Sequence, residues 1–261
     1  MKKQILIDTH AHLGYWPTLR QTQRDLLKSV KSNGVNFTLL SFDGTEFPTG
    51  RFKAINQIKG SSLALKFVQK HPEFGMLVWI RPNTETNFNE VDEFINKNRQ
   101  YIYGIKIHPF LSRLKITDKL FNPYLEIARK YHLPVLVHTA TDEYSRIKYL
   151  EKRAQKDSDL IFIAAHLELS SNNKQAVKIL SRNKNIYGDS AWVHYDIIKE
   201  LKKYNVLDKF MFGTDNPIDG EYTLKNEIYQ GYINNLMDLS KNEYDHLMYK
   251  TALKVYKINL K

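Results

Sequence analysis

Eight times along its length the chain passes from a short apolar run to a longer amphipathic stretch, and no other feature constrains its fold as much. The runs Gln4–His10, Asn36–Ser41, Phe74–Ile80, Ile102–His108, Pro134–His138, Leu160–His166, Ile186–Asp189 and Lys209–Thr214 read as strands. Between and after them, Thr22–Ser32, Arg51–Lys70, Asn89–Arg99, Asp118–Tyr131, Glu143–Gln155, Asn172–Asn183, Tyr195–Tyr204 and Leu224–Leu239 carry apolar residues at helical spacing. A last helix is predicted from Ser240, where Ser240-Lys241-Asn242-Glu243 has the form of a capping box. Strands that are apolar almost throughout are covered on both faces, which suits a closed parallel barrel better than an open sheet. A length of 261 residues is ordinary for one such barrel, and no linker or low-complexity stretch interrupts it. The expected fold is α/β: a single (β/α)8 TIM barrel over 1–261 with an extra C-terminal helix.

In this fold the chemistry sits at the C-terminal ends of the strands. His10 and His12 stand two residues apart in the first run, so strand alternation turns both imidazoles to one side. His108, His138, His166 and Asp215 finish or follow the fourth, fifth, sixth and eighth runs. Several imidazoles and a carboxylate gathered at a barrel mouth would be costly to desolvate without a cation. The chain has no Cys, so a metal must be held by His and carboxylates; that donor set suits zinc first, with manganese, iron or nickel as alternatives. Asp215, in Phe212-Gly213-Thr214-Asp215-Asn216-Pro217, reads as a ligand that also takes the proton of an attacking water. Lys106 shares a strand face with His108, and both are candidates for binding substrate. Lys106 is open to three readings: a rim lysine in a salt bridge, an anchor for a substrate carboxylate, or a carbamylated bridge between two metals. Arg81, closing the third run, is a second candidate anchor.

The formal charge of +11 comes from lysines scattered over helical segments such as Lys199, Lys202, Lys203 and Lys209. Without a compact basic stripe interleaved with aromatics, nucleic acid is not the expected partner; a small anionic substrate is. The basic start Met1-Lys2-Lys3 leads into an apolar stretch that stops at Asp8, too short for a signal peptide, and no run approaches a membrane span. A cytoplasmic protein with no membrane partner is the expectation, and self-association into a homo-oligomer is left open.

Thr9-His10-Ala11-His12-Leu13-Gly14, Gly104-Ile105-Lys106-Ile107-His108-Pro109, Pro134-Val135-Leu136-Val137-His138, Ala164-Ala165-His166-Leu167 and the Asp215 segment follow one another along nearly the whole chain. Together they resemble the amidohydrolase superfamily, in the branch that includes aminocarboxymuconate-semialdehyde decarboxylase-like enzymes. The resemblance implies a distorted (β/α)8 barrel with one or two divalent metals, one being favoured. It makes His10, His12, His138 and Asp215 the single-metal ligand set. His166 then orients the nucleophilic water or acts as acid–base, or becomes a ligand in a two-metal site. Two departures stand out: Glu168 where the family usually has Gly after Leu167, and Lys250-Thr251-Ala252 in place of Gly-Asn-Ala. The setting of Lys106 is like that of the carbamylated lysine of dihydroorotases.

The implied function is hydrolysis of an ester, lactone or amide of a small carboxylate-bearing substrate by a metal-activated water. Non-oxidative decarboxylation of an unsaturated or aromatic acid is the alternative. TatD-type DNases share the barrel and the His-x-His pair but generally carry Glu where this chain has Lys106, which leaves a nuclease as a minor alternative. Substrate choice is expected in the loops Gly14–Gln21, Phe42–Arg51 and Phe110–Thr117.

Overall fold

A computed structural model of the protein describes residues 4–15, 20–44, 46–47, 53–85 and 87–260. Its strands are β1 (Ile7–Tyr15), β2 (Arg20–Gln21), β3 (Phe37–Gly44), β4 (Phe74–Trp79), β5 (Ile102–Ile107), β6 (Val135–Ala140), β7 (Phe162–Leu169), β8 (Ile186–Asp189) and β9 (Phe210–Met211). They lie in one sheet in the order β2-β1-β3-β4-β5-β6-β7-β8-β9. All neighbours are parallel except β2, which turns back antiparallel on β1 with Gly14 opposite Gln21. The eight parallel strands alternate with helices, as the periodicity of the sequence predicts.

The two edges meet across a seam between β1 and the segment after β9. Thr9 N donates to Phe212 O at 3.0 Å, His12 N to Asn216 O at 2.7 Å and Asp215 N to His10 O at 2.7 Å, with a parallel bridge between Ala11 and Asn216. Side chains reinforce it: Thr214 Oγ1 donates to Asp8 Oδ2 at 2.6 Å, while Asp8 Oδ1 accepts from His10 N. Burial pushes the Asp8 carboxyl up to about 7.

The apolar residues sort into two layers. Inside the barrel, Ile7, Leu39, Leu77, Leu136, Ile163 and Met211 form one cluster with Ala252, Val255 and Tyr256. The C-terminal helix Thr251–Tyr256 thereby stops the N-terminal end of the barrel and leaves the other end for chemistry. On the outer face, strand residues such as Leu40, Val78, Ile105 and Val137 pack against helix residues such as Leu26, Phe67, Leu125 and Leu180. Each such side chain contributes about 1.5–3 kcal/mol when fully buried. Gly104 on β5 has no space for a side chain, since a Cβ there would come within 2.7 Å of Pro134 O and 2.9 Å of Leu77 Cδ2.

Several boundaries differ from the sequence reading, each for a tertiary reason. β1 continues past His12 to Tyr15 because β3 also runs on and pairs with it as far as Gly44. The two histidines therefore lie within the strand, next to a register shift between Asp8 and Ala11, and not at its end. The eighth barrel strand shortens to Phe210–Met211 because Phe212 N bonds to Leu247 O instead of to a strand. The capping box at Ser240 forms, and the helix that follows passes through a π turn at His246–Lys250 before Thr251. The stretch Leu224–Leu239 is not one helix: a 3-10 turn over Gly220–Lys225 precedes a helix over Glu227–Ile233. Residues 51 and 52, 16–19 of the first predicted specificity loop, and 45 and 48–51 of the second lie outside the described residues. No helix among the described residues is long and apolar enough to cross a membrane.

Candidate active site

Side chains from β1, β5, β7 and the seam meet at the open end of the barrel. The ligand atoms of His10, His166 and Asp215 lie within 4.8 Å of one another, a grouping that could hold a metal ion. His12 joins it through Asp215, with Nε2 at 2.8 Å from Oδ1. Each of the two β1 imidazoles is oriented from behind. His10 Nδ1 faces Asp189 Oδ2 at 2.8 Å, which leaves the lone pair of Nε2 turned to the cluster, where Lys106 Nζ lies 2.9 Å away. His12 Nδ1 faces Ser41 Oγ at 3.0 Å, and Ser41 in turn donates to Asp43 Oδ1. Carboxylates that hold the far nitrogen of an imidazole fix its tautomer and its direction.

The electrostatics follow from burial and these partners. Burial, aided by the charge on Lys106, lowers His10 to about 4. Burial alone would lower His12 too, but the Asp43 and Asp215 carboxylates outweigh it and raise the ring to about 9. Burial works against ionisation of Asp215, yet the hydrogen bond and charge of His12 hold it well below the usual carboxylate range. His166 and His138 are both lowered, chiefly by burial, and so favour the neutral form that ligates metals.

His166 is presented by a strained backbone. His166, Leu167 and Glu168 have φ of 66°, 44° and 69°, a left-handed run that L-residues adopt only when the surroundings enforce it. Asn173 Nδ2 donates to the carbonyls of His166 and Leu167 at 3.1 and 2.8 Å, and Glu168 N donates to Thr139 Oγ1 at 2.8 Å. His166 N donates to Asp189 Oδ1, and His166 Nδ1 to Ala191 O, so that its Nε2 keeps a lone pair. A positive φ at position 168 suits the glycine that the resemblance implies there. Here the Glu168 carboxylate makes its own use of the place, accepting from Ile147 N at 3.2 Å at the start of the helix Ile147–Lys156.

The cavity above the cluster encloses about 530 Å³. His12, Asp43, Lys106, His108, His138, His166 and Asp215 supply its polar lining, with Gln21 and Asp142; Phe110, Leu169, Trp192 and Ile218 supply its apolar lining. His138 stacks on His108 at 4.0 Å between ring centres and stands edge-on to His166 at 4.9 Å, which puts it beside the tight three-residue group but not in it. Lys106 is buried and lines the cavity. Arg81 departs from the sequence reading, since it does not line the cavity. Its Nη1 lies 3.2 Å from Glu85 Oε1, its Nη2 donates to Glu46 O, and its guanidinium packs over the Trp79 ring. Pro82 follows directly, and the side chain serves the wall behind β4.

Three contributors were not singled out from the sequence. Asp189 ends β8 and Asp43 sits two residues after Ser41 on β3, so a carboxylate at a strand end was the available signal in both cases. Trp192 Nε1 donates to Asp215 Oδ2 at 3.0 Å, which directs the other carboxylate oxygen towards the histidines. Nothing in the local pattern around Trp192 announces that contact.

A sequence profile of the amidohydrolase family matches residues 7–258. The chain belongs to the amidohydrolase family. No curated protein matches it. Solved structures share the fold at low identity. The manganese complex of 5-carboxyvanillate decarboxylase from Novosphingobium aromaticivorans, with 4-hydroxy-3-methoxy-5-nitrobenzoic acid bound, has a TM-score of 0.70 at 13% identity, covering 97% of this chain and 96% of that one. A probable 2-pyrone-4,6-dicarboxylic acid hydrolase from Acinetobacter baumannii, with citric acid bound, has a TM-score of 0.65 at 14% identity, covering 98% and 100%. An amidohydrolase 2 from Bifidobacterium longum subsp. infantis has a TM-score of 0.63 at 16% identity, with the same two coverages. The barrel of this chain thus shares its fold with a protein named as a decarboxylase and with one named as a probable hydrolase.

Proposed function

We propose that this amidohydrolase hydrolyses an ester, lactone or amide of a small carboxylate-bearing substrate. The observation that carries the reading is the convergence of His10, His166 and Asp215 within 4.8 Å beside a cavity of about 530 Å³. The donor set fits a divalent cation: two lone pairs fixed by hydrogen bonds on the far ring nitrogens, plus an ionised carboxylate. His10, His166 and Asp215 would hold the ion, with His12 and His138 within reach to complete its shell; zinc is the metal that an imidazole-rich set suits best. When bound, the ion supplies Lewis acidity to the scissile carbonyl and acidifies water. Asp215 Oδ1 takes the proton of the attacking water, with Trp192 keeping its other oxygen in place. Lys106 Nζ pairs with the substrate carboxylate once the lone pair of His10 is otherwise engaged, and His108 lines the same wall. Phe110, Leu169, Trp192 and Ile218 exclude water around the apolar part of the substrate.

The test is a panel of lactones, carboxylate esters, amides and aromatic acids given to zinc- or manganese-loaded protein in water enriched in oxygen-18. Label in the product of an ester or lactone, lost in Asp215→Asn, is the expected result. Release of carbon dioxide without label in the organic product would replace hydrolysis by decarboxylation. Turnover of a DNA oligonucleotide alone would replace both by nuclease activity.

A further inference from the structure

The helix Glu227–Ile233 packs against the segment that follows β8 and grips it by the main chain. Tyr229 and Tyr232 stand one turn apart on this helix, and both are fully buried. Tyr229 Oη accepts from Trp192 N at 3.2 Å, and Tyr232 Oη donates to Val193 O at 3.0 Å. Gly231 lies between them, where a Cβ would overlap the ring of Tyr195, so that ring closes directly on the helix backbone. Neither tyrosine lines the active-site cavity.

The backbone between these two bonds is strained. Trp192 has a φ of 58°, a left-handed conformation that a bulky residue adopts only under constraint. Val193 N donates back to Ser190 O at 3.0 Å and closes a turn. Trp192 N and Val193 O, which that bond does not use, go to the two tyrosine hydroxyls. Phenylalanine at either position would fill the same volume and leave one of these main-chain groups without its partner.

The turn sets the direction of the indole. Trp192 Nε1 donates to Asp215 Oδ2 at 3.0 Å, while Asp215 Oδ1 faces His12 Nε2 at 2.8 Å and His10 Nε2 at 3.5 Å. Trp192 lines the cavity, so one side of its ring faces open space and is not held by packing. Its aim at Asp215 depends on the main chain that carries it.

We infer that Tyr229 and Tyr232 are positioning residues for the active site: by fixing the Trp192 turn they aim the indole N–H that orients Asp215. The inference rests on the reading of Asp215 as metal ligand and proton acceptor, and it adds a helix outside the cavity to the parts that set the geometry of the site.

The experiment compares wild type, Tyr229→Phe, Trp192→Phe and the double variant. Zinc affinity is read by competition with a fluorescent chelator. Hydrogen exchange of the Trp192 indole N–H is followed by nitrogen-15 NMR on the metal-free protein, its resonance being the one missing in Trp192→Phe. Trp192→Phe should weaken zinc binding about tenfold, and Tyr229→Phe nearly as much, since each releases Asp215 Oδ2. The double variant should bind within about twofold of Trp192→Phe, because Tyr229 acts through Trp192. In Tyr229→Phe the indole N–H should exchange about tenfold or more faster than in the wild type. Tyr232→Phe, which removes the other hydroxyl, serves in its place if Tyr229→Phe does not fold. Losses that multiply in the double variant, or wild-type zinc affinity or indole exchange in Tyr229→Phe, overturn the positioning role. Failure of the wild type to bind zinc overturns the reading of Asp215; the indole exchange, measured without metal, still decides whether the tyrosines hold Trp192.

Discussion

Asp189 divides its two carboxylate oxygens between two tasks: Oδ2 accepts from His10 Nδ1 at 2.8 Å, and Oδ1 accepts from the backbone N–H of His166 and of Ala191. One buried side chain thus sets the tautomer of one candidate ligand and the backbone of another. In Asp189→Asn the single remaining oxygen is claimed by the two backbone donors, so the amide nitrogen faces His10 Nδ1. That forces the ring proton onto Nε2, where the lone pair is needed. Metal affinity should fall about 10- to 100-fold, read by competition with a fluorescent chelator, with the circular dichroism spectrum unchanged.

Protein purified without chelator should carry close to one divalent cation per chain by elemental analysis. His10→Ala and Asp215→Asn should each bring it close to zero. For His166 the same measurement separates two roles. Loss of metal in His166→Asn would make it a ligand, while retained metal with turnover reduced about 10²- to 10⁴-fold would make it an acid–base residue.

For Lys106→Met the expected result is a raised KM with kcat and metal content nearly unchanged, as for any interaction made equally in ground and transition states. Depletion of metal in this variant would point instead to a carbamylated bridge. The measurement is steady-state kinetics beside elemental analysis on the same preparation.

Glu46 offers a test away from the site. It is buried, accepts from Ser112 Oγ at 2.8 Å, and is pushed by burial up to about 7 in spite of Arg81. Its folded-state value exceeds the unfolded one near 4.5, so its contribution to stability is complete below that pH and is lost as pH rises towards 7. Glu46→Gln should flatten the stability profile across that window by an amount of order 2 kcal/mol, measured by urea unfolding at several pH values.

The barrel and the residues gathered at its mouth were legible because both depend on periodicity. Parallel strands buried on two faces are apolar throughout, and alternation alone turns His10 and His12 to one side. What was not legible depends on contacts between distant segments. The position of His166 at the barrel mouth follows from its strand end, but the backbone that presents its ring does not: Asn173, Thr139 and Asp189 hold it in the left-handed region. Arg81 sits at a strand end as expected, but Glu46 and Glu85 draw it into the wall. Gln21 owes its place to a two-residue strand too short to leave a pattern.

The seam between β1 and the segment after β9 has a consequence for how the protein is made and unmade. Thr214 and Asp8, joined side chain to side chain, stand 206 positions apart in the chain, so this contact closes a loop nearly as long as the molecule. His10 and His12 lie on one lip of that closure and Asp215 on the other. A cation shared across it would act as a topological fastener: it would add stability only to a barrel that has already shut, in proportion to the logarithm of its concentration. A barrel opened at this seam has its candidate ligands on separate edges and no site to offer.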